Sequence, residues 1–165
     1  MKKKTIILII SAVMIAALAG LVFGTDIIVK SSNKEFGKDP EFYKALGNHF
    51  AEKGQFAEAI VAYESCLLLG DDRVVRNNLA VLYYQQGKYL EAIAQLRSLL
   101  IQEPNNVGLH YDLAVNLVDR FRNSKEQSLA DLEEAFAEYE KANELQPGYS
   151  HTQENIEVLK TVMGR

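Results

Sequence analysis

The sequence predicts an all-α protein in which an apolar N-terminal helix precedes stacked helical hairpins. The chain carries no charged residue from Thr5 to Thr25. It also repeats itself: "GQFAEAIVAYESCLLL" at residues 54–69 is followed, 33 residues later, by "GKYLEAIAQLRSLL" at residues 87–100. Self-similarity with a period of about 20–50 residues indicates an architecture in which each unit buries its apolar face against a neighbour.

Residues 1–29 are predicted to form a signal-anchor that crosses a membrane once as a transmembrane helix. A spanning helix needs about 20 predominantly apolar residues, and the uncharged run is long enough. The lysines at positions 2–4 should hold the N-terminus in the cytoplasm, which places the rest of the chain on the outer (periplasmic or extracytoplasmic) side. The polar, turn-rich residues 30–39 are interpreted as a linker.

A cleaved signal peptide is the alternative interpretation of this segment. The triplet "ALA" at residues 17–19 would suit a signal peptidase, and cleavage would release a soluble periplasmic or secreted protein. We favour a retained anchor because the apolar character continues through Leu21, Val22 and Phe23. The small residues of the segment would also allow close packing against other transmembrane helices; they are Ala12, Ala16, Ala17, Ala19 and Gly20.

Charge divides the chain at the same boundary. Residues 1–30 have a net charge of +3, whereas residues 31–165 have a net charge of −7. An acidic domain repels a phosphate backbone, so we expect no nucleic-acid partner. Cys66 is the sole cysteine and therefore cannot form an intramolecular disulfide.

Three units share small and apolar residues at matching offsets. The residues that carry the pattern are Leu46, Gly47, Phe50, Gly54 and Ala59 in residues 40–72; Leu79, Ala80, Tyr83, Gly87 and Ala92 in residues 73–106; and Leu113, Ala114, Leu117 and Ala135 in residues 107–149. The pattern resembles the tetratricopeptide repeat (TPR), W-x-x-L-G-x-x-Y followed by A-x-x-x-F and P. The resemblance implies an α-solenoid of three helix-turn-helix repeats.

Each position of the pattern has a physical reason. Gly47 is small because the second helix of the hairpin presses against the first. Gly54 and Gly87 lie between the two helices, where a left-handed turn favours glycine. Pro104 and Pro147 should end the second helix before the next unit begins.

The third unit contains a nine-residue insertion. Ala114 and Ala135 are 21 residues apart, whereas the matching residues of the other units are 12 apart. Ser124 and Ser128 each begin a pair that resembles a helix-capping box, so we expect the insertion to lengthen the two helices. Residues 150–165 then form a capping helix with a polar outer face, in which Ile156, Leu159 and Val162 would face the core.

No catalytic, cofactor or metal site is predicted, and we do not expect an enzyme. His49, His110 and His151 belong to separate helices, and none has a second ligand at metal-binding spacing. His110 occupies the aromatic position of its repeat and should be packed. Cys66 should be a small buried residue rather than a reactive thiol.

By resemblance, the first helices of such repeats line a concave groove that binds peptides or protein surfaces. The groove positions carried over to this sequence are Lys44, Asn48, Glu52, Asn77, Asn78, Val81, Tyr84, Gln85, Tyr111, Asp112, Val115 and Asp119. Of the five positions of the carboxylate clamp that receives chaperone tails, Lys44, Asn48 and Asn78 match three. The two cationic positions hold Gly108 and Asp112, and Asp112 would repel a carboxylate. We therefore expect a mixed apolar and amide-bearing segment as the ligand.

The function predicted from these features is that of a membrane-anchored scaffold or adaptor. It would mediate protein–protein interactions in the assembly or stabilisation of a membrane or envelope complex, because an anchored module has a raised effective concentration for membrane-bound partners. A permanent accessory subunit of a large membrane complex is the alternative, as is the cleaved soluble binding protein described above.

Overall fold

The structure is a computed structural model that describes residues 39–165. The regular secondary structure of this range is entirely α-helical, so the all-α prediction is confirmed there. The helices are α1 (Pro40–Glu52), α2 (Phe56–Leu69), α3 (Arg73–Gln85), α4 (Tyr89–Gln102), α5 (Val107–Asn123), α6 (Leu129–Leu145) and α7 (Thr152–Met163). The predicted anchor at residues 1–29 lies outside the described residues. No helix within residues 39–165 has both the length and the apolar character that a membrane span needs.

The chain divides into two compact units, which within the described range are residues 39–75 and 76–165. The first unit is built on the α1–α2 hairpin. Asp39 caps α1, since its side chain accepts a hydrogen bond from the Glu41 amide at 3.1 Å, and Pro40 occupies the first turn. The core of the hairpin is formed by the buried faces of the two helices, which are Tyr43, Leu46, Gly47, Phe50, Ala59, Ile60, Ala62, Tyr63 and Cys66.

Gly47 is the point of closest approach in this hairpin. A Cβ atom at Gly47 would lie 2.4 Å from two ring carbons of Tyr63, so no larger residue fits without movement of the ring. Gly54 and Gly87 have φ angles of +73° and +69°, the left-handed conformation that was predicted for them. The sequence pattern was therefore correct about both the close contact and the turns.

The core of the second unit runs through α4, α5, α6 and α7 and includes Ala80 of α3. Its most buried members come from facing helices: Ile93, Leu96, Leu113, Leu117, Leu132 and Ala135. His110 is packed here, as predicted, with its Nδ1 2.5 Å from the Glu138 carboxylate and its Nε2 2.9 Å from the Pro104 carbonyl oxygen. The polar ring is thus held at both nitrogens within an otherwise apolar core.

The insertion of the third unit mainly lengthens its helices. Each of α5 and α6 has 17 residues, whereas the earlier hairpins have helices of 13 and 14 residues. The connection between them, residues 124–128, is two residues longer than the three-residue turns of the earlier hairpins. Ser128 immediately precedes α6 but makes no side-chain capping bond, and Ser124 instead ends α5, where its Oγ accepts from the Glu126 amide at 3.2 Å. The predicted capping boxes were therefore wrong.

The last helix, α7, packs through Ile156 and Leu159, which are both 4% exposed. The prediction that Val162 continues this face was wrong, because Val162 is 60% exposed and Met163 packs against the core instead. Val158, one turn before Val162, is 59% exposed. The outer face of α7 is consequently less polar than a capping helix was expected to be.

Candidate functional site

In the first unit, the predicted groove residues of α1 already make contacts within the unit. Lys44 Nζ lies 2.8 Å from Asp72 Oδ2, and both side chains are partly open to solvent. Asn48 Oδ1 accepts a hydrogen bond of 2.7 Å from the Tyr63 hydroxyl. Both residues therefore support the fold of the first hairpin, and a ligand would have to compete for them.

Asp72 is the hub of these contacts. Its second oxygen, Oδ1, accepts from the amides of Val74 and Val75 at 2.8 and 3.0 Å and so caps the start of α3. The hydrogen bond from Lys44 is the main reason why the pKa of Asp72 lies below its usual value, and the same bond raises the pKa of Lys44. The carboxylate is thus held in its charged form.

The second unit contains a cavity of about 210 Å³ that collects six of the predicted groove residues. It is lined by Asn77, Val81, Tyr84 and Gln85 of α3 and by Asp112 and Val115 of α5. The volume is below the roughly 300–1,000 Å³ of pockets that hold a drug-sized ligand, so the space suits one inserted side chain. None of the lining residues is basic.

Three further residues complete the lining: Ala80, Leu96 and Asn116. Ala80, Leu96 and the two valines give the cavity apolar walls. Asp112 and Asn116 lie four residues apart on α5 and therefore share one face of that helix. The carboxylate of the cavity and its most buried amide thus both lie on the α5 side.

Asn116 is only 5% exposed, and its hydrogen bonding is incomplete. Its Nδ2 donates to the backbone carbonyl oxygen of Asp112 at 2.8 Å, which fixes the orientation of the amide. Within the described residues, no donor reaches Asn116 Oδ1, although this oxygen is buried. An unpaired buried acceptor is unfavourable by about 1–3 kcal/mol, and it needs an explanation.

The Asp112 side chain is exposed to solvent, yet the nearby protein atoms partly desolvate its carboxylate. Desolvation raises the pKa of Asp112 above its usual value. Neither a basic side chain nor a hydrogen-bond donor contacts this carboxylate in the part of the chain that the structure describes. A cation that entered the cavity would relieve this desolvated charge.

Asp119 lies about two helical turns beyond Asp112 on α5, and unlike Asp112 it has protein partners. The Tyr84 hydroxyl donates to Asp119 Oδ2 at 2.8 Å, and Arg122 Nη1 lies 3.6 Å from Asp119 Oδ1. The hydrogen bond to Asp119 is the largest cause that raises the pKa of Tyr84 to about 12. The Tyr84 ring also packs edge-on against Tyr89, with the centroids 5.9 Å apart. Tyr84 is therefore a rigid wall of the cavity.

Tyr111, which was also predicted to bind the partner, does not line the cavity. Its ring packs edge-on against Tyr139 and Tyr149, with centroid distances of 5.5 and 5.7 Å, and it contributes to the core of the second unit. Asn78 is half-buried on α3 and lies outside the lining as well. The three residues that match the carboxylate clamp, Lys44, Asn48 and Asn78, are consequently not among the lining residues of this cavity.

Asn116 is the cavity residue that sequence reasoning missed. Only positions that line the groove in the family were carried over, and Asn116 lies between the core residues Val115 and Leu117 in the repeat register. A single polar residue flanked by apolar residues in a helix was the sequence feature that could have identified it. Among residues 39–165, no cluster of three or more histidine, cysteine or acidic residues could hold a metal ion.

Repeated helical hairpins with a small groove on one of the units are typical of an interaction module. Residues 50–114 match the family described as the tetratricopeptide repeat, so this part of the chain is a tetratricopeptide repeat region. Proteins of this family mediate protein–protein interactions. No curated protein matches the sequence significantly.

Solved tetratricopeptide repeat structures share the fold. One is the first TPR of Spaghetti (RPAP3) bound to the HSP90 peptide SRMEEVD, with 19% identity and a TM-score of 0.60 over 78% of this chain and 96% of that one. Another is MamA of AMB-1, with 23% identity and a TM-score of 0.64 over 77% of this chain and 70% of that one. The second TPR domain of human RPAP3, in complex with an HSP70 peptide, has 19% identity and a TM-score of 0.57 over 74% of this chain and 98% of that one. At these identities the likeness concerns the fold.

Proposed function

We propose that this protein is a membrane-anchored adaptor that holds a segment of a partner protein during the assembly or stabilisation of a membrane or envelope complex. The single observation that carries the binding role is the cavity on α3 and α5, which has apolar walls and a buried oxygen, Asn116 Oδ1, that no donor within residues 39–165 reaches. Similar folds in RPAP3 hold peptides, which supports a peptide segment as the ligand.

The membrane placement rests on the sequence. The uncharged run from Thr5 to Thr25 and the preceding lysines support a single-pass anchor with the repeats on the outer side. Anchoring restricts the module to the bilayer surface, where it meets membrane-bound partners at a raised effective concentration. A modest groove affinity is then sufficient for capture.

The proposal is tested by affinity purification of the full-length protein from native membranes in mild detergent, followed by quantitative mass spectrometry. We expect substoichiometric capture of assembly intermediates and an intact N-terminus. Val81→Trp fills the cavity with an indole ring and should remove most of the captured partner. Val158→Trp makes the same change on the exposed face of α7, which does not line the cavity, and should leave capture unchanged.

Three results would contradict the proposal. Equal loss in both variants would show that the cavity has no special role. A complex at equal stoichiometry that survives high salt would instead identify a permanent subunit. Recovery of the protein alone, beginning near Gly20, would identify a cleaved soluble protein.

A further inference from the structure

The cavity on α3 and α5 combines two unmet electrostatic demands with apolar walls. Within residues 39–165, no donor reaches the buried Asn116 Oδ1, and no basic side chain contacts the Asp112 carboxylate, which is exposed but partly desolvated. Both groups require a hydrogen-bond donor, and neither is satisfied by a ligand that brings carboxylates. The cavity is therefore expected to bind a ligand that brings hydrogen-bond donors.

Asp119, which contacts the lining residue Tyr84, does not compete for such a donor. Asp119 is already occupied by the Tyr84 hydroxyl and by Arg122. The lining residues contain one carboxylate, three amide side chains and one phenol, and they contain no lysine, arginine or histidine. The cavity is therefore complementary to positive charge.

We infer that the cavity on α3 and α5 receives a lysine or arginine side chain from an otherwise apolar segment of the partner protein. The aliphatic stem would pack against Val81 and Val115, and the cationic head would reach the Asp112 carboxylate. A polar hydrogen of the same segment would supply the donor that Asn116 Oδ1 lacks. The inference rests on the proposed function, because it names the class of segment that the groove selects.

Size and charge both favour this ligand over the alternatives. A space of about 210 Å³ admits one long side chain and excludes a folded element. The HSP90 peptide in the Spaghetti complex, SRMEEVD, ends in a strongly acidic run. Such a run would place like charges against Asp112 and leave both demands unmet. Selectivity should therefore be opposite in sign to that of a receptor for acidic tails.

The test uses the full-length protein in detergent micelles and a displayed library of random peptides as the probe. We expect the enriched peptides to carry lysine or arginine at one position, flanked by apolar residues. Asp112→Lys reverses the charge of the cavity and should weaken binding of the enriched peptides by about tenfold or more, because a desolvated charge pair is lost. Glu140→Lys makes the same change in net charge at an exposed site that does not line the cavity, and it should leave binding unchanged.

Asn116→Leu provides a second variant that does not depend on charge. It removes the unpaired acceptor while conserving volume, so the free protein should be at least as stable as the unmodified one. The same variant should bind the enriched peptides more weakly. Loss of binding without loss of stability distinguishes a ligand-facing asparagine from one that only supports the fold.

Other outcomes overturn the inference in distinguishable ways. Enrichment of acidic or uncharged peptides whose binding Val81→Trp abolishes would refute the cationic ligand and leave the groove as the binding site. Enrichment of basic peptides by Asp112→Lys as strongly as by the unmodified protein would show that the charge acts elsewhere. No enrichment at all would refute the cavity as a peptide site, while capture of native partners would still test the adaptor role separately.

Discussion

The two units of the molecule treat the polar side chains of their groove helices differently. In the first unit, Lys44 and Asn48 of α1 are engaged by Asp72 and Tyr63 within the same unit. In the second unit, Asp112 and Asn116 of α5 present groups that nothing in the described chain satisfies. The polar side chains of the groove helices therefore make internal contacts in the first unit, whereas in the second unit some of them have no partner among the described residues.

The difference also extends to the ion pairs. The Lys44–Asp72 pair of the first unit is partly open to solvent, with side-chain exposures of 25% and 22%. In the second unit, Arg120 pairs with Asp131, whose side chain is only 5% exposed, and Arg120 Nε lies 2.6 Å from Asp131 Oδ2. This hydrogen bond raises the pKa of Arg120 and joins the lengthened ends of α5 and α6. The insertion is thus fastened by a buried charge pair.

The largest effect is expected from breaking that buried pair. Arg120→Met leaves the Asp131 carboxylate buried without a partner, which should lower the free energy of unfolding by about 3–5 kcal/mol. The measurement is guanidinium denaturation of the full-length protein in detergent, followed by circular dichroism. Arg97→Met is the control, since Arg97 and Glu134 form an exposed pair whose loss should lower the free energy by less than about 1 kcal/mol. Equal losses in the two variants would contradict the burial argument.

An intermediate effect is expected at Gly47 in the first unit. Gly47→Ala would place a methyl group against the Tyr63 ring, and the overpacking should lower the free energy of unfolding by about 1–3 kcal/mol, despite the better helix propensity of alanine. The second unit has alanine and leucine at the matching positions, Ala80 and Leu96. Adding Tyr63→Leu should therefore recover part of the loss in Gly47→Ala. Failure of this rescue would show that the clash with Tyr63 is not the cause.

Gly47 also shows how much of the fold could be predicted from the sequence. Repeated small residues, turn glycines and helix-ending prolines act through local geometry, so they predicted the hairpins and their turns correctly. Val162 was misplaced because helical spacing alone cannot choose between two faces one residue apart, and tertiary packing selected Met163. The capping boxes failed because Ser124 bonds locally in the turn instead.

The candidate site was less predictable than the fold. Family positions identified Val81, Tyr84 and Val115 around the cavity, since these follow from the repeat register. The contacts between helices decide which polar groups remain without partners, and the sequence pattern does not predict these contacts. Lys44 is engaged because Asp72 lies beside it, and Asn116 is unsatisfied because its amide turns to the backbone of its own helix. Whether a polar side chain finds a hydrogen-bond partner is therefore decided by the packed structure.

The smallest effect concerns the Lys44–Asp72 pair and depends on pH. Because the pKa of Asp72 is depressed in the folded state, the pair stabilises the fold above the unfolded carboxyl pKa of about 3.9 and is lost as pH falls through the folded value. It is also lost at high pH, as pH rises through the raised pKa of Lys44. Lys44→Met should therefore be less stable than the unmodified protein near neutral pH, and the difference should vanish at about pH 2.

A matched substitution separates the two roles of Asp72. Asp72→Ala removes both the pair and the cap of α3 and should lower the free energy of unfolding by about 1 kcal/mol at neutral pH, more than Lys44→Met does. Lys160→Met removes an exposed partner of Glu157 and serves as the control for the change in net charge. If Lys44→Met remained destabilising to the same extent at low pH, packing of the lysine stem would be responsible. The Lys44 ammonium would then be available to a ligand, whereas Asn48 would still be engaged by the Tyr63 hydroxyl.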